Sequence, residues 1–227
     1  MSTMITRPPH RATVLPQGET RILVPGASWS LYKSFVENLA ESSPIRTAFD
    51  GRDMEIMVKG PIHDYFAERL GLFVMTLAGQ LGIRIMPQAE TTWIRPEIER
   101  GIEADRCYYL DPAKIASALA ALGRRVNDVA AYPNPDLAIE VDISVPKADR
   151  AGIYAALRVT ELWIFDGEIL TIERLDEQGR YQPVEQSGFL RVRTEQVLPW
   201  LTAEDVSDYG TWTRRLQEWA DKELRGQ

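Results

Sequence analysis

The segment from Pro135 to Asp142, with the sequence Pro-Asp-Leu-Ala-Ile-Glu-Val-Asp, combines the apolar residues of a buried strand with carboxylates at alternate positions. Successive side chains of a strand point to opposite faces, so we expect Glu140 and Asp142 to share one face. Two charges ~4 Å apart, at an effective dielectric constant near ~20, repel each other by about 4 kcal/mol. Solvent, a shared proton, a basic partner or a metal ion must relieve this repulsion.

A third carboxylate, Asp105, begins another β-prone run, which continues to Leu110. Carboxylate oxygens are the ligands that Mg²⁺ and Mn²⁺ prefer. A pair of carboxylates could equally be the acid and base of a glycosidase. The acids could also be structural and pair with arginines at strand ends. Of these three interpretations, the residues alone favour the structural one.

Other catalytic motifs find little support in the sequence. His63 is the only histidine placed to serve in a Ser-His-Asp triad, since His10 lies in the N-terminal arm. Neither a Gly-x-Ser-x-Gly motif nor a Gly-rich phosphate loop occurs. Cys107 lies in a β-prone run, which favours a small core residue over a nucleophile. The acidic residues therefore remain the main candidates for chemistry.

The composition, with 44% hydrophobic and 26% charged residues among 227, is typical of a soluble globular protein with one large domain. A single cysteine excludes an intrachain disulfide and fits a reducing cytoplasm. No transmembrane-length apolar run or signal peptide is evident, so we expect a cytoplasmic protein without a membrane partner. The net charge of −7 argues against a large nucleic-acid footprint. A local basic patch remains compatible with it, and its candidates are Arg95, Arg100, Arg106, Arg124 and Arg125.

Turn and capping signals predict the elements that must position the acids. Asp50-Gly51 predicts a hairpin between two strand-like runs, and Pro61 and Gly82 delimit a long helix with Asp64 in its first turn. Further helices are predicted at 28–40, 112–122, 149–157 and 208–224, and further strands at 83–86, 89–94, 105–110, 137–142, 161–165, 169–175 and 181–184. The sum is an α/β (α+β) fold with a mixed central sheet flanked by helices. An extra helix and hairpin precede this core, and a C-terminal helix follows it.

Several segments in a fixed order resemble one bacterial family. They are Met-Glu-Ile-Met at 54–57, His63, Thr-Thr-Trp-Ile-Arg at 91–95, Gly-Ile-Glu-Ala-Asp at 101–105, Tyr-Tyr at 108–109, 134–142, 153–157 and 161–163. The family is the restriction-endonuclease-like family labelled Uma, part of the PD-(D/E)XK nuclease superfamily, and the similarity covers residues 29–181. It implies a restriction-endonuclease-like core, which we place at residues 28–200. The prolines of the N-terminal segment predict a flexible arm at 1–27, and the last predicted helix forms a C-terminal helical appendage at 201–227.

The resemblance also implies roles for individual residues. Asp105 and Glu140 match the first and second acids, which together with the Val141 carbonyl would hold a Mg²⁺ or Mn²⁺ ion. Asp142 stands where the superfamily usually has lysine and could support a ligand or bind a second metal ion. Lys147 and Arg150 are the nearest basic groups that could orient water or stabilise the transition state.

Two positions depart from the pattern of the family. The proline that usually precedes the first acid is Ala104, a change that affects the backbone more than the chemistry. Arg150 stands where many relatives carry lysine. Arginine binds phosphate well but stays protonated, so it cannot act as a base.

The resemblance therefore implies a metal-dependent endonuclease that hydrolyses phosphodiester bonds in nucleic acid, and we expect its substrate to be DNA and its assembly to be a homodimer. The alternative is a nuclease-like fold that has lost catalysis and serves as a binding or assembly module.

Overall fold

The computed structural model describes residues 19–39, 44–202 and 208–225. Six α-helices lie in these ranges: α1 (Trp29–Glu37), α2 (Pro61–Leu81), α3 (Pro112–Gly123), α4 (Arg150–Ala156), α5 (Thr194–Leu201) and α6 (Tyr209–Glu223). Eleven strands accompany them: β1 (Thr20–Val24), β2 (Ile45–Phe49), β3 (Met54–Val58), β4 (Met86–Ala89), β5 (Thr92–Arg95), β6 (Arg100–Glu103), β7 (Arg106–Tyr109), β8 (Leu137–Val141), β9 (Glu161–Phe165), β10 (Leu170–Leu175) and β11 (Tyr181–Pro183).

The described strands form two sheets. The first has the order β1-β3-β2-β6-β5 and is antiparallel throughout. The second has the order β11-β10-β9-β8-β7-β4 and is mixed, because β8 and β9 run parallel while its other neighbours are antiparallel. The predicted mixed sheet flanked by helices is thereby confirmed. The separate five-stranded sheet was not part of that prediction.

Helix α2 has the limits that its sequence signals predict. Pro61 occupies the first turn, where its missing N–H costs no helical hydrogen bond. Gly82 ends the helix in the left-handed region, at φ 67°, which favours glycine. The buried face of α2 packs against β8 and α6. This helix therefore supports the mixed sheet directly beneath the acidic strand.

Strand β8 is buried on both faces, and its faces differ in chemistry. Leu137, Ile139 and Val141 join the apolar core that includes α2. Ala138 joins a second apolar cluster on the opposite face, and Glu140 shares that face by the alternation of the strand. The predicted separation of acids from apolar residues along β8 is confirmed.

The structure corrects the expected N-terminal boundary. Residues 1–18 lie outside the described residues, but Thr20–Val24 form a strand that pairs along its whole length with β3, so 20–24 do not belong to a flexible arm. At the other end, Trp212, Leu216 and Ala220 of α6 are buried in the core beside α2. The last helix is therefore part of the main core and not a separate appendage. None of the described helices has the length and apolarity needed to cross a membrane.

Candidate active site

Two neighbouring antiparallel strands bring the two principal acids together. Arg106 of β7 pairs with Ile139 of β8, and one further step of this register sets Asp105 opposite Glu140. Residues opposite each other in an antiparallel pair share a face, with Cβ atoms roughly 4.5–5.5 Å apart. The backbone N–H of Val141 donates to Oδ2 of Asp105 at 2.9 Å, which anchors this acid at the end of β8.

Asp105 is buried and has one strong side-chain partner. Nε2 of His63, in the first turn of α2, lies 3.1 Å from Oδ2 of Asp105. Burial raises the pKa of the Asp105 carboxyl, but the hydrogen bond and charge of His63 and the charge of Arg150 outweigh it, so this pKa lies below its ordinary value. Oδ1 of Asp105 is buried and has no hydrogen-bond partner within the described part of the chain. One oxygen of this acid is therefore open to a further donor or cation.

Glu140 is held at both oxygens. Arg150 donates to Oε2, and the hydroxyl of Tyr154 donates to Oε1; both donors come from α4. Burial raises the pKa of Glu140 well above its ordinary value, and the charges of Asp105 and Asp142 add to this, although Arg150 opposes it. The repulsion predicted from the sequence is thus relieved in part by a basic partner.

Asp142 has an arginine from the first sheet as its closest partner. Nη2 of Arg21, on β1, donates to Oδ1 of Asp142 at 2.7 Å. The same guanidinium donates through Nη1 to Glu55 of β3 at 2.7 Å and through Nη2 to Glu19 at 2.8 Å. Arg150 lies farther from Asp142, with Nη1 3.6 Å from Oδ1. Burial raises the pKa of the Asp142 carboxyl, against the lowering effects of Arg150 and Arg21.

The first sheet also fixes the loop that leads from β8 into α4. Glu19 accepts hydrogen bonds from the backbone and hydroxyl of Ser144, and Glu55 accepts from the backbone N–H groups of Lys147 and Ala148. Five of the buried carboxylates lie together here, and we call them the acid cluster: Glu19, Glu55, Asp105, Glu140 and Asp142. Two buried arginines, Arg21 and Arg150, and one histidine, His63, face these five acids.

The family model described as "Uma2: Putative restriction endonuclease" matches residues 34–206, which is most of the chain. The chain belongs to the Uma2 family. The membership expected from the ordered sequence segments is thereby confirmed, and it supports a nuclease-like function. No match was found among curated proteins.

Of the two basic groups considered for the role of the lysine in the Uma2 family, only Arg150 reaches the acid cluster with its side chain. Its side chain is 7% exposed and contacts Glu140 directly. Lys147 is exposed, and its ammonium group makes no hydrogen bond or ion pair with a described residue. Lys147 therefore lies at the surface beside the site, and only its backbone is tied to the acid cluster.

The acid cluster is not arranged as a closed metal site. In the described ranges, no three His, Cys, Asp or Glu side chains converge on a point that could hold a metal ion. The reason is visible in the contacts: Arg150 and Tyr154 occupy the oxygens of Glu140, and Arg21 occupies one oxygen of Asp142. The chemistry of the donors nevertheless suits a hard divalent cation, because negative charge is in excess and one oxygen of Asp105 is unpartnered.

Sequence reasoning did not find Glu19, Arg21, Glu55 and Tyr154 as members of the site. Glu55 carried a signal, since it is a lone acid in the apolar run 54–58.

Two other residues have structural roles. Asp136 caps the turn after β7 by accepting from the N–H groups of Leu110 and Asp111. Burial raises the pKa of the Cys107 thiol to about 12, which disfavours the nucleophilic thiolate.

A cleft of about 800 Å³ opens beside the acid cluster. Asp142 and Arg150 form part of its wall, and apolar side chains from α2 and from the loop after β8 form much of the remainder. The acid cluster is therefore buried but adjoins a space large enough for a ligand, since ligand pockets in proteins span roughly 300–1,000 Å³.

Proposed function

We propose that this Uma2-family protein is a metal-dependent endonuclease that hydrolyses phosphodiester bonds in DNA. One observation carries the proposal: Asp105 directly precedes β7 and accepts from the N–H of Val141 on β8, so the β7–β8 register sets it opposite Glu140, next to an open cleft. Two carboxylates on neighbouring strands can together hold a divalent cation, and such a cation can act on a phosphate bound in the cleft.

Asp105, Glu140 and the carbonyl of Val141 would hold Mg²⁺ or Mn²⁺, with Asp142 close enough to support a ligand or a second ion. The unpartnered Oδ1 of Asp105 and the excess of acids over arginines support this assignment. When bound, the cation lowers the pKa of a coordinated water molecule and neutralises charge on the phosphate.

The residues around the acids have distinct tasks in this proposal. His63 orients Asp105 through the contact between Nε2 and Oδ2. Arg150 releases Glu140 and donates to the scissile phosphate, which its planar guanidinium can bind in two places. Arg150 stays protonated, so it stabilises charge and does not take a proton from water. Lys147, at the surface beside the site, contacts a phosphate of the bound strand.

A second candidate function is a nuclease-like module that binds nucleic acid without cleaving it. The specific observation in its favour is that Arg150 and Tyr154 together occupy both oxygens of Glu140. If this ion pair persists in the presence of divalent cations, Glu140 cannot serve as a ligand.

The test is cleavage of supercoiled plasmid and of circular single-stranded DNA with Mg²⁺, with Mn²⁺ and with chelator. We expect metal-dependent nicking by the wild-type protein and none by Asp105→Ala or Glu140→Gln. Glu177→Gln, in the exposed turn between β10 and β11, is the matched control and should retain activity. Binding of DNA without cleavage would establish the module, and cleavage by the Glu140 variant at the wild-type rate would refute the role of Glu140 as a metal ligand.

The proposal extends to assembly and location. We propose a cytoplasmic homodimer, whose mass measured by light scattering should be twice the 25.7 kDa of the chain. A monomer at micromolar concentration would refute the dimer and leave the proposed chemistry intact.

A further inference from the structure

The cleft beside the acid cluster has an apolar interior. Ile62 and Phe66 of α2 face Ile143, Val145 and Pro146 of the loop after β8 across this space. Arg150 and Asp142 line the same cleft, so a ligand inside it has an apolar wall and a charged end.

Large apolar side chains are also exposed at the mouth of the cleft. Val145 is 84% exposed and Ile62 is 49% exposed, and both line the cleft. Tyr65, one turn after Ile62, is 42% exposed, and Ile169, next to the lining residue Glu168, is 62% exposed. An apolar rim of this kind at the mouth of a site marks a binding surface.

The charges at the mouth do not suit a double helix. Asp166 and Glu168 are exposed there, and Lys147 is the exposed cation adjacent to the lining residue Pro146. A duplex presents two dense rows of phosphates, and proteins bind it chiefly by neutralising those phosphates with lysine and arginine. The flat face of an unpaired base is uncharged, and it can lie on apolar and aromatic side chains without meeting these acids.

We propose that the cleft receives an unpaired nucleotide, with the base against Ile62, Phe66 and Val145 and its phosphate between Arg150 and Lys147. The substrate class is accordingly single-stranded DNA, or a strand with an unpaired base, rather than a regular duplex. This inference rests on the endonuclease proposal for the identity of the ligand, and it adds the apolar wall of the cleft to the same site.

The direct test is binding, followed by fluorescence anisotropy of a 5′-labelled oligothymidylate 12-mer and of a blunt duplex of the same length, with Ca²⁺ in place of Mg²⁺. We expect the single strand to bind at least ten-fold more tightly than the duplex. The double variant I62S/V145S should weaken single-strand binding about ten-fold, because both side chains line the cleft.

The matched control is L119S/L122S on α3, whose side chains are 50% and 49% exposed and do not line the cleft. This control should bind as the wild type does. Equal affinity for duplex and single strand, no binding of either, or equal effects of the two double variants, would overturn the proposal. Cleavage of duplex and single strand at equal rates in Mg²⁺ would refute the preference for single strands and leave the endonuclease proposal intact. Selective binding of the single strand without cleavage would support the preference and refute the endonuclease proposal.

Discussion

Replacing Arg150 with methionine should destabilise the protein strongly. The guanidinium is buried, contacts Glu140 directly and lies 3.6–3.7 Å from Asp142 and Glu55. Methionine keeps much of the volume and removes the charge, so three buried acids lose a cation that they share. The substitution therefore measures how strongly the acid cluster depends on its arginines.

The expected magnitude follows from the burial of the pair. Removing one partner of a buried ion pair costs about 3–5 kcal/mol, because the remaining charge stays buried and uncompensated. For a chain of this length, a loss of 1 kcal/mol lowers the melting temperature by roughly 2–4 °C. The melting temperature of Arg150→Met should thus fall by roughly 6–20 °C. Adding Glu140→Gln should recover part of the loss, because it removes one of the excess charges.

The assay is urea and thermal unfolding in chelator, followed by circular dichroism, for the two single variants and the double variant. Arg52→Met is the control, since the side chain of Arg52 is 86% exposed, and it should change stability by less than about 0.5 kcal/mol. A loss below about 1 kcal/mol for Arg150→Met, or no recovery in the double variant, would refute the view of Arg150 as the shared cation of buried acids.

Three further results are expected. His63→Ala should weaken Mn²⁺ binding, measured by calorimetry, about ten-fold, because Asp105 loses the side chain that orients it. His63→Gln should restore part of the affinity, and unchanged affinity in both variants would contradict the positioning role of His63. Cys107 should resist iodoacetamide at pH 8 in the folded protein and react fully in guanidinium, since its raised pKa keeps the buried thiol protonated; rapid native labelling would contradict its burial. Gly101→Ala places a Cβ 2.3 Å from the buried Tyr32 ring and should lower the free energy of unfolding by about 1–3 kcal/mol. Gly79→Ala has open space around its Cβ and should not destabilise the protein. Equal melting temperatures of these two variants would contradict the close packing of Gly101 against Tyr32.

Local signals predicted the elements that carry the acids. Pro61 and Gly82 set the limits of α2, and the alternation along 137–141 placed Glu140 on the face opposite the core beside α2. These successes share a cause, because each depends on residues within a few positions of one another. The order of the family segments along the chain then indicated the family and, through it, the restriction-endonuclease-like fold.

Long-range ion pairs could not be predicted in the same way. The contact between Arg21 and Asp142 joins residues 121 positions apart, and nothing near either residue indicates the other. Helix α5 was also missed, since Pro199 within it signals a helix end, yet the packing of Val197 and Leu201 into the core maintains the helix. Both the ion pair and helix α5 depend on contacts between residues that are distant in the sequence.

Strand β1 has a consequence for how the acid cluster responds to fluctuations. Among the described strands it is an edge strand, whose one neighbour in the sheet is β3, and it precedes the region that matches the family. Edge segments open locally at a lower free energy than the whole protein unfolds. A local opening of β1 would withdraw Arg21 and its neighbour Glu19 together, and Asp142 would lose its closest cation. The charge balance at Asp142 therefore depends on how firmly this peripheral strand is attached.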